Sequence, residues 1–252
     1  MFGMDENKVI KAKNDRRVNF NYLIDERINA LSAISDEHMN KIVIYCHGLG
    51  SNKTWAIKFY ENLLNENIGI VSFDFPGHGE DNTDFSDFDL SLCITYLDRV
   101  IQYVKDKYNV PIYLFGCSFG GFVILNKIIQ NNNIEKTMLM CPAVNFCEIL
   151  EIKADVSSNY FIDNTFLPLY NNIKIYKKAY LEFKKGEENI KKFAFKNVSI
   201  IQGTKDKTVL YDNIKDFCLK NNLELTTIDN GKHELYGYDD EIVRFLLKNI
   251  NK

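Results

Sequence analysis

The chain has 252 residues, 46% of them hydrophobic, with 31 basic against 34 acidic side chains and a net charge of -3. That is enough apolar material for the core of one large domain, and the slight acidity leaves no basic field to attract nucleic acid. The opening Met1-Phe2-Gly3-Met4-Asp5-Glu6-Asn7-Lys8 has no apolar core of signal-peptide length, and no later run approaches the roughly 18 to 20 residues of a membrane span, so no membrane partner and a cytoplasmic location are expected.

In chain order, Val9 to Lys13, Val18 to Ile24 and Ile28 to Ile34 have β-like composition with a turn at Asn14-Asp15, which predicts an antiparallel lead-in at one sheet edge. From Lys41 onward apolar strands alternate with amphipathic helices. Strands are predicted at Ile42 to Cys46, Gly69 to Phe73, Ile112 to Phe115, Lys136 to Met140, Val198 to Gln202 and Glu224 to Ile228. Helices are predicted at Lys53 to Glu66, Leu90 to Lys107, Phe119 to Gln130 (closed by Asn131-Asn132-Asn133), Tyr211 to Lys220 and Asp239 to Asn249. This alternation builds an α/β fold, a mostly parallel, doubly wound sheet with helices on both faces.

Residues 142–197 interrupt the pattern, and a stretch of that length is too long for an ordinary βα connection. It contains Phe146, Tyr160, Phe161, Phe166, Tyr170, Tyr176, Tyr180 and Phe183, and reads as a cap over an active site. Residues 1–141 and 198–252 would then form the core; the plainer alternative is a peripheral insertion whose aromatics pack on that core. The lysines between Lys174 and Lys196 are interspersed with acidic residues and aromatics, as on a solvated helical face.

The chemistry concentrates at Gly116-Cys117-Ser118-Phe119-Gly120, a G-x-S-x-G run between an apolar strand and an apolar helix. With 13 glycines and 10 serines in the chain, about 0.03 such matches are expected by chance. Small neighbours let strand and helix approach closely enough to hold a serine on a sharp turn, so Ser118 is the candidate nucleophile. Cys117 is the competing nucleophile, but the middle position of the turn belongs to the serine.

A serine hydroxyl needs a base in reach and a third group to orient that base. Gly203-Thr204-Lys205-Asp206 and Gly231-Lys232-His233 each follow a predicted strand, at the carboxyl end where functional groups of open α/β sheets collect. The order Ser118, Asp206, His233 is the one that accompanies the serine turn on this architecture. Of the other histidines, His38 falls in a polar connection, and His47 and His78 belong to other loops. Two donors are also needed for the developing oxyanion. The Phe119 N–H, directly after the nucleophile, is one; the Leu49 N–H in His47-Gly48-Leu49-Gly50-Ser51 is the other. A phosphate-binding reading of those glycines fails because neither nucleotide-loop motif is completed.

None of the six cysteines forms a C-x-x-C pair and no H-x-x-x-H occurs, so no metal is expected, and the cysteines read as small core residues. Triad and oxyanion donors suffice for acyl transfer, so no cofactor is expected either.

Together, His47-Gly48-Leu49-Gly50, Asp74-Phe75-Pro76-Gly77-His78-Gly79, Gly116-Cys117-Ser118-Phe119-Gly120-Gly121, Gly203-Thr204-Lys205-Asp206 and Gly231-Lys232-His233 resemble the α/β-hydrolase superfamily, from about Lys41 to the C-terminus. Within it the chain is most similar to compact bacterial carboxylesterases of the monoacylglycerol-lipase, cinnamoyl-esterase and serine-aminopeptidase type. The resemblance implies the triad Ser118, Asp206 and His233, oxyanion donors Leu49 and Phe119, a cap at 142–197 between the sixth and seventh strands, and a structural His78 pinning a loop beside the site. Cys117 stands where many relatives carry His, which leaves the nucleophile intact and alters the packing beneath it. The expected activity is serine-dependent cleavage of small hydrophobic or aryl carboxylic esters. The same triad is compatible with a thioesterase, lipase or peptidase, and the fold with a cofactor-free haloperoxidase, a C–C hydrolase or a non-catalytic binding module. A small-molecule ester is the expected partner, and a homodimer is among the oligomeric states left open.

Overall fold

The computed structural model describes residues 6–35, 39–130, 134–157, 159–162 and 164–252. Met1 to Asp5, His38 and Asn131 to Asn133, which figured in the sequence analysis, lie outside these residues. The chain opens with a helix, α1 (Glu6–Lys13), and an antiparallel hairpin, β1 (Val18–Ile24) and β2 (Ile28–Ala33). The alternation follows: β3 (Lys41–Cys46), α2 (Tyr60–Asn65), β4 (Ile68–Phe73), α3 (Leu90–Tyr108), β5 (Ile112–Cys117), α4 (Phe119–Gln130) and β6 (Lys136–Met140). After a long excursion it resumes with β9 (Val198–Gly203), α7 (Tyr211–Asn221), β10 (Glu224–Ile228) and α8 (Asp239–Ile250). The excursion holds α5 (Phe146–Ala154), a two-stranded hairpin of β7 (Phe166–Pro168) and β8 (Lys174–Tyr176), and α6 (Lys177–Lys192).

The main sheet has eight strands in the order β1-β2-β4-β3-β5-β6-β9-β10, parallel from β4 to β10 with the hairpin antiparallel at one edge. β3 and β5 lie inside the sheet, and their alternation feeds two cores. Ile42, Ile44, Ile112 and Leu114 face one layer with α3, α4 and α7, while Val43, Tyr45, Phe115 and Cys117 face the other with α2 and α8. A strand buried on both faces has no polar side, which is why these segments read as unbroken apolar runs. All six cysteines are free and buried, as expected of small core residues. Among the described residues no helix is long and apolar enough to cross a membrane.

Two predicted elements differ. Val9 to Lys13 is the end of α1 and not a strand. Its good helix formers outweigh the two β-branched residues once Ala12 is buried against the 53–65 region and Lys8 and Lys11 pair with Asp239 and Glu61. The predicted helix Lys53 to Glu66 is two pieces, a 3₁₀ turn over Lys53–Lys58 and then α2, parted at Phe59. The Asn52 side chain accepts the Thr54 N–H and fixes the tight start, so Lys53 points inward.

Four of the eight aromatics expected in the cap, Phe146, Phe161, Tyr180 and Phe183, are buried, while Tyr170 is exposed. Phe146 and Phe183 stand 5.1 Å apart, and Phe146 lies 4.9 Å from Phe119, the residue after the candidate nucleophile. Tyr180 donates to Glu151, tying α6 to α5, and Lys178 of α6 pairs with Asp89, the N-cap of α3.

Candidate active site

The turn between β5 and α4 brings Ser118 to φ +52°, a left-handed conformation that a non-glycine residue holds only under constraint. The constraints are visible: Ser118 N–H donates to Met140 O at 3.0 Å, and its carbonyl accepts from Phe122 and Ala143. Gly120 lets the first turn of α4 press on the end of β3, where a Cβ would lie 2.1 Å from Cys46 O. Cys117 points down into the other core, and burial raises its thiol pKa well above the ordinary value. It stays a thiol, turned away from the side of the turn on which the Ser118 hydroxyl stands.

Two loops from the far side of the sheet converge on this serine. After β9 and β10, Lys205 N–H donates to Gly231 O at 2.8 Å and Thr204 N–H to Ile228 O at 3.0 Å, lacing the loops together. Gly203 permits that approach, since a Cβ there would meet Gly231 O at 2.3 Å. Asp206 Oδ1 accepts from the backbone of Thr208 and Val209 at 2.8 and 2.9 Å, and Oδ2 faces Gln202 Nε2 at 3.0 Å and His233 Nδ1 at 2.8 Å. Burial alone would raise the Asp206 pKa, but the His233 bond and the backbone amides outweigh it and hold it below the ordinary carboxylate value. His233 Nε2 stands 3.0 Å from Ser118 Oγ. With Nδ1–H donated to the carboxylate, Nε2 carries the lone pair toward the hydroxyl, the arrangement a general base requires.

The loop after β3 completes the site. A Cβ on Gly48 would lie 3.5 Å from Ser118 Cβ, so the Gly48-Leu49 peptide borders the nucleophile. Phe119 is the first residue of α4, where the amide has no helical partner and the helix dipole is positive.

Two contributors escaped the sequence analysis. His47 is fully buried, its Nδ1–H donating to Gly48 O at 2.8 Å while Nε2 accepts the Phe75 N–H at 3.0 Å. Burial, helped by neighbouring His78, lowers its pKa to about 3, so it bridges the loops after β3 and β4 as a neutral ring. A histidine ending an apolar strand before a Gly-x-Gly is the one signal that could have exposed it. Gln202 is equally buried and holds both Asp206 and Val209 O, each at 3.0 Å; a lone amide in the run Val198-Ser199-Ile200-Ile201-Gln202 was its signal. His78 donates to Pro76 O at 2.8 Å, a bond within its own turn.

Cys141, Asp206 and His233 offer ligand atoms within 4.8 Å of one another, the donor set a soft cation would need. Asp206 and His233 are already bonded to each other, and burial, foremost, raises the Cys141 thiol pKa.

Residues 37–168, just over half of the chain, match the family described as Serine aminopeptidase, S33. The chain belongs to this family of α/β hydrolases. The matched stretch contains Ser118 and ends before Asp206 and His233. Among curated proteins, the chain is 27% identical over 115 residues to Protein phosphatase methylesterase 1 of Candida albicans, covering 44% of this chain and 32% of that protein. It is 26% identical over 116 residues to Putative esterase/lipase 2 of Mycoplasma genitalium, covering 45% and 42%. The chain thus spans less than half the length of the curated relatives it matches. Among solved structures, Est1E from Butyrivibrio proteoclasticus superposes with a TM-score of 0.74 at 19% identity over 93% of this chain and 99% of that one. A second structure of that protein, with ferulic acid bound, gives 0.74 at 20% identity over 91% and 98%. At these identities the structures share the fold.

Proposed function

We propose that this chain is a serine-dependent carboxylic ester hydrolase working through an acyl-enzyme. The observation that carries the reading is the line of hydrogen bonds from Ser118 Oγ to His233 Nε2, at 3.0 Å, and from His233 Nδ1 to Asp206 Oδ2, at 2.8 Å. As Ser118 Oγ bonds to the ester carbonyl carbon, its proton passes to Nε2 of His233. Asp206 stabilises the imidazolium that forms, and the Leu49 and Phe119 N–H groups receive the carbonyl oxygen as it becomes an oxyanion. Collapse breaks the C–O bond to the alcohol, which leaves with the proton from His233. Water then attacks the acyl-enzyme, giving its proton to His233, and collapse releases the acid and returns the proton to Ser118.

Residues 142–197 would act as the cap, with 1–141 and 198–252 as the core. The substrates would be small hydrophobic or aryl esters, hydroxycinnamoyl esters among them, a reading supported by the ferulic acid bound in the Butyrivibrio esterase. A series of 4-nitrophenyl esters of increasing acyl length, offered to the wild type and to Ser118→Ala, tests the core of the reading. Saturable turnover by the wild type and a loss of about a thousandfold or more in the variant are expected. Equal rates for the two proteins on every ester would end it.

A further inference from the structure

Lys153 lies in the last turn of α5, and the position of its ammonium is set by contacts that run directly to the candidate site. Nζ lies 5.1 Å from the centre of the Tyr170 ring. The Tyr170 hydroxyl donates to Leu49 O at 3.1 Å, and the ring edge would touch a Cβ on Gly50 at 2.9 Å, so Tyr170 rests on the loop that carries the proposed oxyanion donor. The carboxylates that Lys153 senses are Glu234 and Asp206, one the neighbour and one the partner of His233.

Both of those carboxylates are already served. Asp206 is bonded by His233, Gln202, Thr208 and Val209, and Glu234 by the Tyr236 hydroxyl with Lys58 nearby. Lys153, by contrast, has no carboxylate within 4.0 Å among the described residues; its neighbour is the face of an aromatic ring. The residue as a whole is exposed, yet its ammonium end is desolvated enough to lower its pKa, as happens when a stem lies in water and the head leans over protein. A cation beside the candidate site, supported by a ring and with no carboxylate within 4.0 Å among the described residues, is poised for an anion brought by a ligand.

We propose that Lys153 is a specificity-determining residue, selecting esters that carry a carboxylate beside the scissile bond. This rests on the ester-hydrolase reading above and names its substrate class. The cation, set over Tyr170, would hold the substrate's carboxylate while the ester carbonyl enters between Ser118 and the Leu49 amide.

Two matched pairs of substrates test it. Mono-4-nitrophenyl glutarate against 4-nitrophenyl pentanoate puts the charge on the acyl side; 4-acetoxybenzoate against 4-tolyl acetate puts it on the alcohol side. For each pair the ratio of kcat/KM, charged over neutral, is measured in the wild type, Lys153→Met and Lys153→Glu, which cancels the intrinsic difference in leaving-group reactivity. In at least one pair the ratio should fall about tenfold in Lys153→Met and further in Lys153→Glu, and the wild-type ratio should shrink in 1 M NaCl. Ratios that agree within about twofold across the three proteins, with turnover still dependent on Ser118, would overturn the proposal and leave the hydrolase reading standing. Absence of Ser118-dependent turnover on all four esters would remove both.

Discussion

At Asp206, two backbone amides and one side-chain amide fix the carboxylate before it meets His233, so its orientation does not depend on the ring it serves. An Asp206→Asn replacement keeps the size and most of these contacts but can present an N–H to His233 Nδ1, which favours the tautomer with Nδ1 bare and the proton on Nε2. The base then faces Ser118 with its lone pair gone. A fall in kcat of about 10³ to 10⁴-fold is expected while the unfolding midpoint moves little, measured with a 4-nitrophenyl ester beside urea denaturation. Ser118, Asp206 and His233 could be nominated from the sequence because each closely follows a predicted strand, so position along the chain alone predicts one sheet end. His47, Gln202 and Lys153 were not. Their parts depend on which neighbour lies across a loop, and no local pattern encodes that.

The elements around the site are braced by a buried ion pair that joins the 3₁₀ turn after β3 to the loop after β4. Lys53 Nζ meets Asp74 Oδ2 at 2.8 Å with side chains 4% and 0% exposed, and Glu80, 59% exposed, joins at 2.6 Å. Asp74 also accepts the backbone amides of Lys53 and Glu80. Replacing Lys53 by Met strands a carboxylate in the interior and should cost about 3 to 5 kcal/mol, whereas Glu80→Gln should cost less than about 1 kcal/mol because that partner is largely in water. Urea unfolding of the two variants checks the contrast; equal losses would mean that the buried pair carries no special share. At this scale β3, β4, β5, β6 and β9 were readable, since burial on both faces leaves continuous apolar runs, and so was β10 at the edge, whereas the short hairpin of β7 and β8 was not. The segment 6–13 and the break at Phe59 were not, because a short run with β-branched residues suits helix or strand equally until a docking surface chooses.

Across the whole molecule, acid should weaken folding earlier than carboxylate titration alone would suggest. His47 and His78 are both buried, and burial lowers the pKa of each, to about 3 for His47. Below the ordinary value of 6.5 the unfolded chain binds protons at these rings that the folded chain refuses, so stability present above pH 6.5 is lost as pH falls toward 3. Asp206, with its pKa held below 3.8, contributes its own loss only in stronger acid. His47 alone should remove about 2 kcal/mol between pH 6.5 and pH 5. Urea midpoints at the two pH values should show that slope, and His47→Asn should flatten it even where the variant starts from lower stability; an unchanged slope would mean that the ring does not titrate on unfolding.

The amino-acid order by itself determined the parallel α/β sheet, the serine on its sharp turn, and an acid and a base at the ends of two later strands. These follow from local rules, since side-chain period, glycine sterics and strand-end position act over a few residues. Only the tertiary structure decided that His47 clasps the Gly48 carbonyl, that Phe146 and Phe183 pack against Phe119, and that Lys153 stands over the Tyr170 ring. Those arrangements join residues 17 to 64 positions apart as well as adjacent ones. Their energies come from burial and from charges facing one another across space, quantities that exist only once the chain has closed on itself.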